Sequence, residues 1–266
     1  MRLILLLAAI GLCCGPALGE TVQIPATDGA VLSARLVMPQ GAVRAPAVVA
    51  LHGCGGPFPA RDDQWATTLA GQGHIVLLPD SFGSRGLGSQ CRNTDRRITA
   101  SRQRRQDALS AARWLMARSG TPPGGVVLLG WSNGASTVLA AGRTSPDLEP
   151  GLLRGLIGFY PGCRDALKNA SWAPAAPLLI LIGESDDWTP AAPCRDLAAR
   201  FPGRITLVTY PGAYHDFDAP DRTVTVRRGL AYTAEGSGVA HAGTDPAARA
   251  DALARVPAFL DALAGK

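Results

Sequence analysis

Short apolar runs recur along the chain: Ala47-Val48-Val49-Ala50-Leu51, Ile75 to Leu78, Val126-Val127-Leu128-Leu129 and Leu178 to Ile182, with Leu153 to Tyr160, broken only by Arg154 and two glycines, a further strand. Runs of this length without polar alternation fit strands covered on both faces. Ile205 to Tyr210 is read as the last strand of the set. Between the runs lie segments suited to helices: Asp63 to Ala70, a stretch from about Thr99 to Arg118, and the Ala-rich Ala135 to Ala141. A terminal segment from about Asp245 repeats Ala250, Leu253, Val256, Phe259, Leu260 and Leu263 at helical spacing. Strand and helix therefore alternate with short gaps, which predicts an α/β fold with a mostly parallel central sheet and helices on both faces. Thr21 to Ile24 and Val31 to Met38 alternate apolar and polar positions and predict an antiparallel entry to that sheet. Residues 219 to 244 show no clear period and are expected to form a long surface excursion.

The first residues change the picture of the mature chain. Met1-Arg2 precedes an apolar run from Leu3 to Leu12, and Ala17-Leu18-Gly19 offers small residues before a cleavage point, so residues 1–19 are expected to be a secretory signal peptide. The run is shorter than the roughly 20 residues a spanning helix needs. A lipoprotein signal fits poorly, since Leu12 or Cys13 would occupy the small-residue place before the modified cysteine. The expectation is an exported protein, periplasmic or secreted, whose residues 20–266 form a single domain.

The formal charge of +5 draws attention to an arginine cluster, Arg92, Arg96, Arg97, Arg102, Arg104 and Arg105. A helix from near Thr99 would bury Ala108, Ala112, Leu115 and Met116 and turn most of these arginines outward, a solvated face and not a nucleic-acid surface. Neither a Cys-x-x-Cys nor a His-x-x-x-His spacing occurs in the 266 residues, and no metal or other cofactor is expected.

The candidate chemistry centres on Gly130-Trp131-Ser132-Asn133-Gly134, which fits the G-x-S-x-G nucleophile elbow. A sharp turn between a buried strand and a helix lifts the serine hydroxyl above the sheet, and flanking glycines leave room for it. Ser132 is the candidate nucleophile. The earlier strand ending at Leu51 runs into His52-Gly53-Cys54-Gly55-Gly56, where a glycine-rich turn can aim backbone N–H groups at one point. The two oxyanion-hole donors are assigned to Cys54 and Asn133.

A serine needs a base, and the base needs a carboxylate to hold it. In the chain order that goes with this elbow, the acid follows the serine and the histidine comes last. His215, just past the last strand, is preferred to His241 in the excursion. His52 and His74 precede the serine. The strand ending at Gly183 delivers Glu184, Asp186 and Asp187; Asp186 is the preferred acid and Asp187 the alternative, with Asp80 a weaker candidate because it lies before the serine. Trp131, Trp188, Phe82 and Tyr160 are candidates for the substrate wall, aromatic core packing being the competing role for each.

His-Gly-Cys-Gly-Gly, the loop Asp80 to Gly86, Gly-Trp-Ser-Asn-Gly, Tyr160-Pro161-Gly162-Cys163, Gly-Glu-Ser-Asp-Asp-Trp-Thr-Pro and the terminal helix together resemble the dienelactone hydrolase family, over nearly the whole mature chain. The resemblance implies an α/β-hydrolase fold and supports Ser132, Asp186 and His215 as a triad, since the family's acid falls three residues after the glycine ending its strand. Dienelactone hydrolases proper carry cysteine at the position of Ser132. What the resemblance leaves is hydrolysis of a small-molecule ester, with no cofactor. A peptidase or acyltransferase on the same fold, or a non-catalytic ligand-binding protein, are the competing readings.

Cys54, Cys91, Cys163 and Cys194 remain after the signal. An even number of cysteines in an oxidising compartment permits two disulfides in any of three connectivities. All four are expected in loops after strands, which gather at the carboxyl edge of a parallel sheet. Cys163 with Cys194 and Cys54 with Cys91 are the favoured pairs.

Overall fold

A computed structural model describes residues 19–264. Residues 1–18, and with them nearly all of the expected signal peptide, lie outside the described residues. The chain enters through β1 (Glu20–Pro25) and β2 (Val31–Val37), continues through β3 (Ala47–Leu51), α1 (Pro59–Gly71) and β4 (Val76–Pro79), and then α2 (Gln103–Ala117), β5 (Val126–Trp131) and α3 (Asn133–Ala141). There follow β6 (Leu153–Phe159), α4 (Arg164–Lys168), β7 (Leu178–Gly183), α5 (Ala192–Arg200), β8 (Ile205–Tyr210), β9 (Thr225–Arg228), β10 (Val239–Ala242) and α6 (Pro246–Ala264).

Eight strands form one sheet in the order β1-β2-β4-β3-β5-β6-β7-β8. β1 and β2 are antiparallel to their neighbours, and β4, β3, β5, β6, β7 and β8 run parallel. Every residue of β3, β5 and β7 is buried, the consequence of helices on both faces. β6 shows the two layers directly. A side chain at Gly155 would strike Leu263 of α6, whereas one at Gly158, on the opposite face of the strand, would meet Ala135 of α3. Arg249 of α6 donates to Gln64 of α1 at 2.6 Å, tying together the two helices of one layer.

The structure departs from the expectations in several places. The excursion at residues 219–244 holds a short ribbon that no period announced: β9 and β10 pair antiparallel, Val239 opposite Arg228. Strands of four residues with one face in water carry too little pattern to be read from the sequence. Arg92, Arg97 and Arg102 of the arginine cluster are exposed as expected, but Arg104 and Arg105 are buried in the first turn of α2, because each finds acceptors on neighbouring elements. Cys194 lies in α5 and not in a loop. Ala250 is exposed, and α6 instead buries Ala248, Ala252, Val256, Leu260 and Leu263. α1 also begins before Asp63, with Pro59 at its first turn, where the missing N–H has no cost.

Candidate active site

The loops at the carboxyl ends of β3, β5, β7 and β8 converge on one point. Ser132 sits between β5 and α3 at φ 53° and ψ −116°, a conformation a residue with a side chain adopts only under strain of about 1–3 kcal/mol. The neighbouring glycines make the turn possible. A Cβ on Gly134 would collide with the Leu51 and His52 carbonyls, and one on Gly130 with the backbone of Gly134.

Ser132 Oγ lies 2.9 Å from His215 Nε2, and His215 Nδ1 lies 2.8 Å from Asp186 Oδ2. With Nδ1–H donating to the carboxylate, the bare Nε2 faces the serine hydroxyl, the tautomer a general base requires. Asp186 is itself fixed: Oδ1 accepts the N–H groups of Trp188 at 2.9 Å and Thr189 at 2.8 Å, and Oδ2 lies 3.1 Å from Thr189 Oγ1. Gly183 lets this loop meet the histidine loop, since any side chain there would strike the Ala213 carbonyl. Both His215 and Asp186 are buried. Burial pushes the imidazole of His215 down, but the charge and hydrogen bond of Asp186 outweigh it, and the ring rests above its ordinary value.

Asp187, the alternative acid, points elsewhere. Its carboxylate accepts the backbone N–H of His241 at 2.8 Å and faces His241 Nδ1 at 2.7 Å. The structure thus keeps His241 and Asp187 as a separate pair that anchors β10. Asp80 accepts the N–H groups of Phe82 and Gly83 and does not reach His215. His52 is buried, with Nδ1 2.8 Å from the Gly53 carbonyl and Nε2 3.1 Å from the Ser81 N–H. His74 bonds the Pro46 carbonyl through Nδ1.

Cys54 and Asn133, the expected oxyanion donors, border the same cavity as Ser132, a cleft of about 790 Å³. The position of Gly53 brings the two loops together, its Cβ direction pointing 3.6 Å from Ser132 Cβ. Asn133 opens α3, where the first N–H groups have no intrahelical acceptor. Cys54 is bonded to Cys91, and Cys163 to Cys194, with S–S distances of 2.04 and 2.02 Å.

Of the four aromatic candidates, only Trp188 lines the cleft, its ring 4.7 Å from that of His215. Trp131, Phe82 and Tyr160 are fully buried and do not wall it, which corrects the expectation. Trp131 and Tyr160 belong to a polar network beneath the histidine that sequence reasoning missed. Asp218 accepts from Trp65 Nε1 and Trp131 Nε1, both at 2.8 Å, and from the Tyr160 hydroxyl at 2.6 Å. Arg61 stacks 4.3 Å from the Trp131 ring and faces Asp62 at 3.0 Å. Burial raises the Asp218 carboxyl, with Arg61 and the hydrogen bonds of Tyr160 and Trp65 opposing it and the nearby Asp216 adding to it. The Tyr160 ring lies 4.4 Å from that of His215, so this network forms the floor of the site. An acidic residue three places after the histidine was the one available signal.

The family model described as "Dienelactone hydrolase family" matches residues 32–264. No curated protein matches the sequence. Among solved structures, a Klebsiella pneumoniae protein assigned as a dienelactone hydrolase superposes with a TM-score of 0.66 at 18% identity, covering 91% of this chain and 98% of its own. Apo esterase 2 of Thermogutta terrifontis gives 0.60 at 23% identity, over 80% of this chain and 90% of its own. A Xanthomonas campestris protein described as an α/β serine hydrolase without a lid gives 0.54 at 21% identity, over 76% and 87%. At these identities the likeness is one of fold.

Proposed function

This chain belongs to the dienelactone hydrolase family, and from that membership, which carries ester hydrolysis in general, we propose that it is a serine hydrolase acting on a small-molecule carboxylic ester through an acyl-enzyme. The observation that carries the reading is the hydrogen-bonded line Ser132–His215–Asp186, at 2.9 and 2.8 Å.

In this mechanism His215 Nε2 takes the Ser132 proton as Oγ attacks the ester carbonyl. Asp186 holds the imidazole tautomer and stabilises the imidazolium that forms. The Cys54 and Asn133 amides donate to the tetrahedral oxyanion, and removing one such donor typically costs about 10²–10³ in rate. His215 then returns the proton to the leaving alcohol, and water, activated by the same ring, releases the acyl group. The ring of Trp188 against His215 and over the cleft supports a role in holding substrate.

Export is part of the proposal. It is supported by the two disulfides, which persist in oxidising compartments. No helix among the described residues is long and apolar enough to cross a membrane.

The test is a serine-directed phosphonate together with a panel of p-nitrophenyl esters. The wild type should hydrolyse the esters and take up one phosphonate per chain at Ser132. Ser132→Ala should stay folded, resist labelling and lose several decades of activity, down to the roughly 10³–10⁴-fold over water that binding and the oxyanion hole still supply. Wild-type rates in that variant would refute the reading.

A further inference from the structure

Two successive arginines open α2, and they are treated differently by the fold. Arg105 forks onto Asp147, Nη1 to Oδ2 at 2.7 Å and Nη2 to Oδ1 at 3.0 Å, so its charge is neutralised in place. Arg104 is 1% exposed and has no carboxylate within ion-pair distance among the described residues. Its Nη1 donates to Asn133 Oδ1 at 2.5 Å and its Nη2 to the His52 carbonyl at 2.7 Å. Its Nε has no acceptor. A guanidinium buried with neutral acceptors alone is unfavourable, and a fold that keeps one has a use for its charge or its fork.

The two acceptors identify that use. Asn133 follows the nucleophile, and His52 opens the Gly53-Cys54 turn; these segments carry the two oxyanion donors assigned above. We propose that Arg104 is a positioning residue of the oxyanion hole, its fork clamping the His52–Cys54 turn to the head of α3 and setting a positive charge behind the developing oxyanion. The inference rests on the proposed serine mechanism.

The surroundings leave the charge available to the site. Asp107, one turn along α2, is held by both terminal nitrogens of Arg85, at 2.9 and 2.8 Å. Asp80, at the end of β4, is bound by two backbone amides and lies 3.4 Å from His52 Nε2. His52 Nδ1 stands 3.4 Å from Arg104 Nη2, and the Phe82 ring covers the guanidinium at 4.9 Å. Burial pulls Arg104 down to about 9, Asp107 and Asp80 work against that, and Arg96 from the preceding loop adds to it. A buried cation whose neighbouring carboxylates are committed elsewhere responds strongly to a new anion beside it.

The experiment compares Arg104→Met and Arg104→Lys with wild type on p-nitrophenyl acetate, with near-ultraviolet circular dichroism to fix the folded fraction. Arg104→Met should lower kcat by about 10²-fold, the scale of a lost oxyanion donor, with KM within about threefold. Its affinity for a boronic acid, which forms the tetrahedral adduct, should fall by a similar factor. Arg104→Lys, which keeps charge but loses the fork, should fall between. Arg104→Ala should regain at least about tenfold in kcat with millimolar guanidinium chloride, as a cation refills a cavity built for it. Asn133→Ala keeps the backbone donor and removes only the clamp's acceptor, so it reads the same effect from the other end if the arginine variants do not fold. Wild-type kcat per folded molecule in Arg104→Met, or a loss carried by KM alone, would overturn the proposal. An Arg104 effect with no phosphonate uptake at Ser132 in wild type would instead overturn the serine mechanism on which it rests.

Discussion

Asp186 and Asp187 are adjacent, and each holds a histidine through Nδ1, at 2.8 and 2.7 Å. By those distances the two pairs are indistinguishable. His215 and Asp186 are buried, the imidazole lies against the rings of Trp188 and Tyr160, and His215 Nε2 meets Ser132. His241 and Asp187 are more than a third exposed, and Tyr214 lies 4.9 Å from the imidazole. The comparison teaches that a histidine and a carboxylate become a base and its orienter through the third partner and the exclusion of water. In the exposed pair the same contact fastens the β9–β10 ribbon to the acid loop, reinforced by the Ala234 N–H on the Asp187 carbonyl at 3.0 Å.

The strongest way to break this comparison is to neutralise each carboxylate in turn. Asp186→Asn should lower kcat about 10⁴-fold, because an amide there stabilises the wrong imidazole tautomer. Asp187→Asn should stay within about threefold of wild type, since only a half-exposed pair is lost. Steady-state kinetics on one ester decides, and the reverse ranking would exchange the roles of the two pairs.

A smaller effect separates the covalent supports of the site. The bond between Cys163 and Cys194, 31 residues apart, ties the α4 entrance to α5 beyond the acid loop. The chain-entropy estimate for a loop of that size is about 3–4 kcal/mol, so Cys163→Ser with Cys194→Ser should lower the denaturation midpoint by a corresponding amount. Urea titration of the oxidised and substituted proteins measures this, and an unchanged midpoint would remove the bond from the list of supports.

The pH dependence sharpens the contrast further. In the proposed mechanism His215 must be neutral to accept the serine proton, and its ring lies above the ordinary 6.5. The acid limb of kcat/KM should therefore have its midpoint above 6.5 and fall about tenfold per pH unit below it. The linked stability has the opposite sense: a raised folded-state value contributes stability fully present below about 6.5 and lost as pH rises through it. Acidification through this range should thus remove activity while increasing the ring's contribution to the fold. His241→Ala should leave the limb where it is; a shifted limb would mean the two pairs are coupled.

The least effect is expected from the exposed pair's own contribution. His241→Ala should cost about 1 kcal/mol or less in folding free energy, because a pair open to solvent is screened. Hydrogen exchange should then report faster opening of residues 239–242 with the sheet core unaffected. Uniform loss of protection would show that the ribbon is part of the main cooperative unit.

What the chain determined by itself is what burial writes locally. β3, β5 and β7 are legible because a strand covered on both faces must be apolar at every position. The elbow is legible because its geometry tolerates no side chain at Gly130 or Gly134. Ser132 and His215 follow from their places after strands. Tertiary structure decided the matters that depend on where distant segments meet. Asp186 and Asp187 are chemically the same residue, and only the turn after Gly183, packed against Ala213, sends one inward and the other toward β10. The favoured cysteine pairs follow from placing these residues near one edge of the sheet; which of the three connectivities forms is decided by the approach of three loops and the first turn of α5. Arg104 misleads most, since an arginine belongs in water unless acceptors await it. The acceptors that bury it are 52 and 29 residues away in sequence, and no local pattern encodes their arrival.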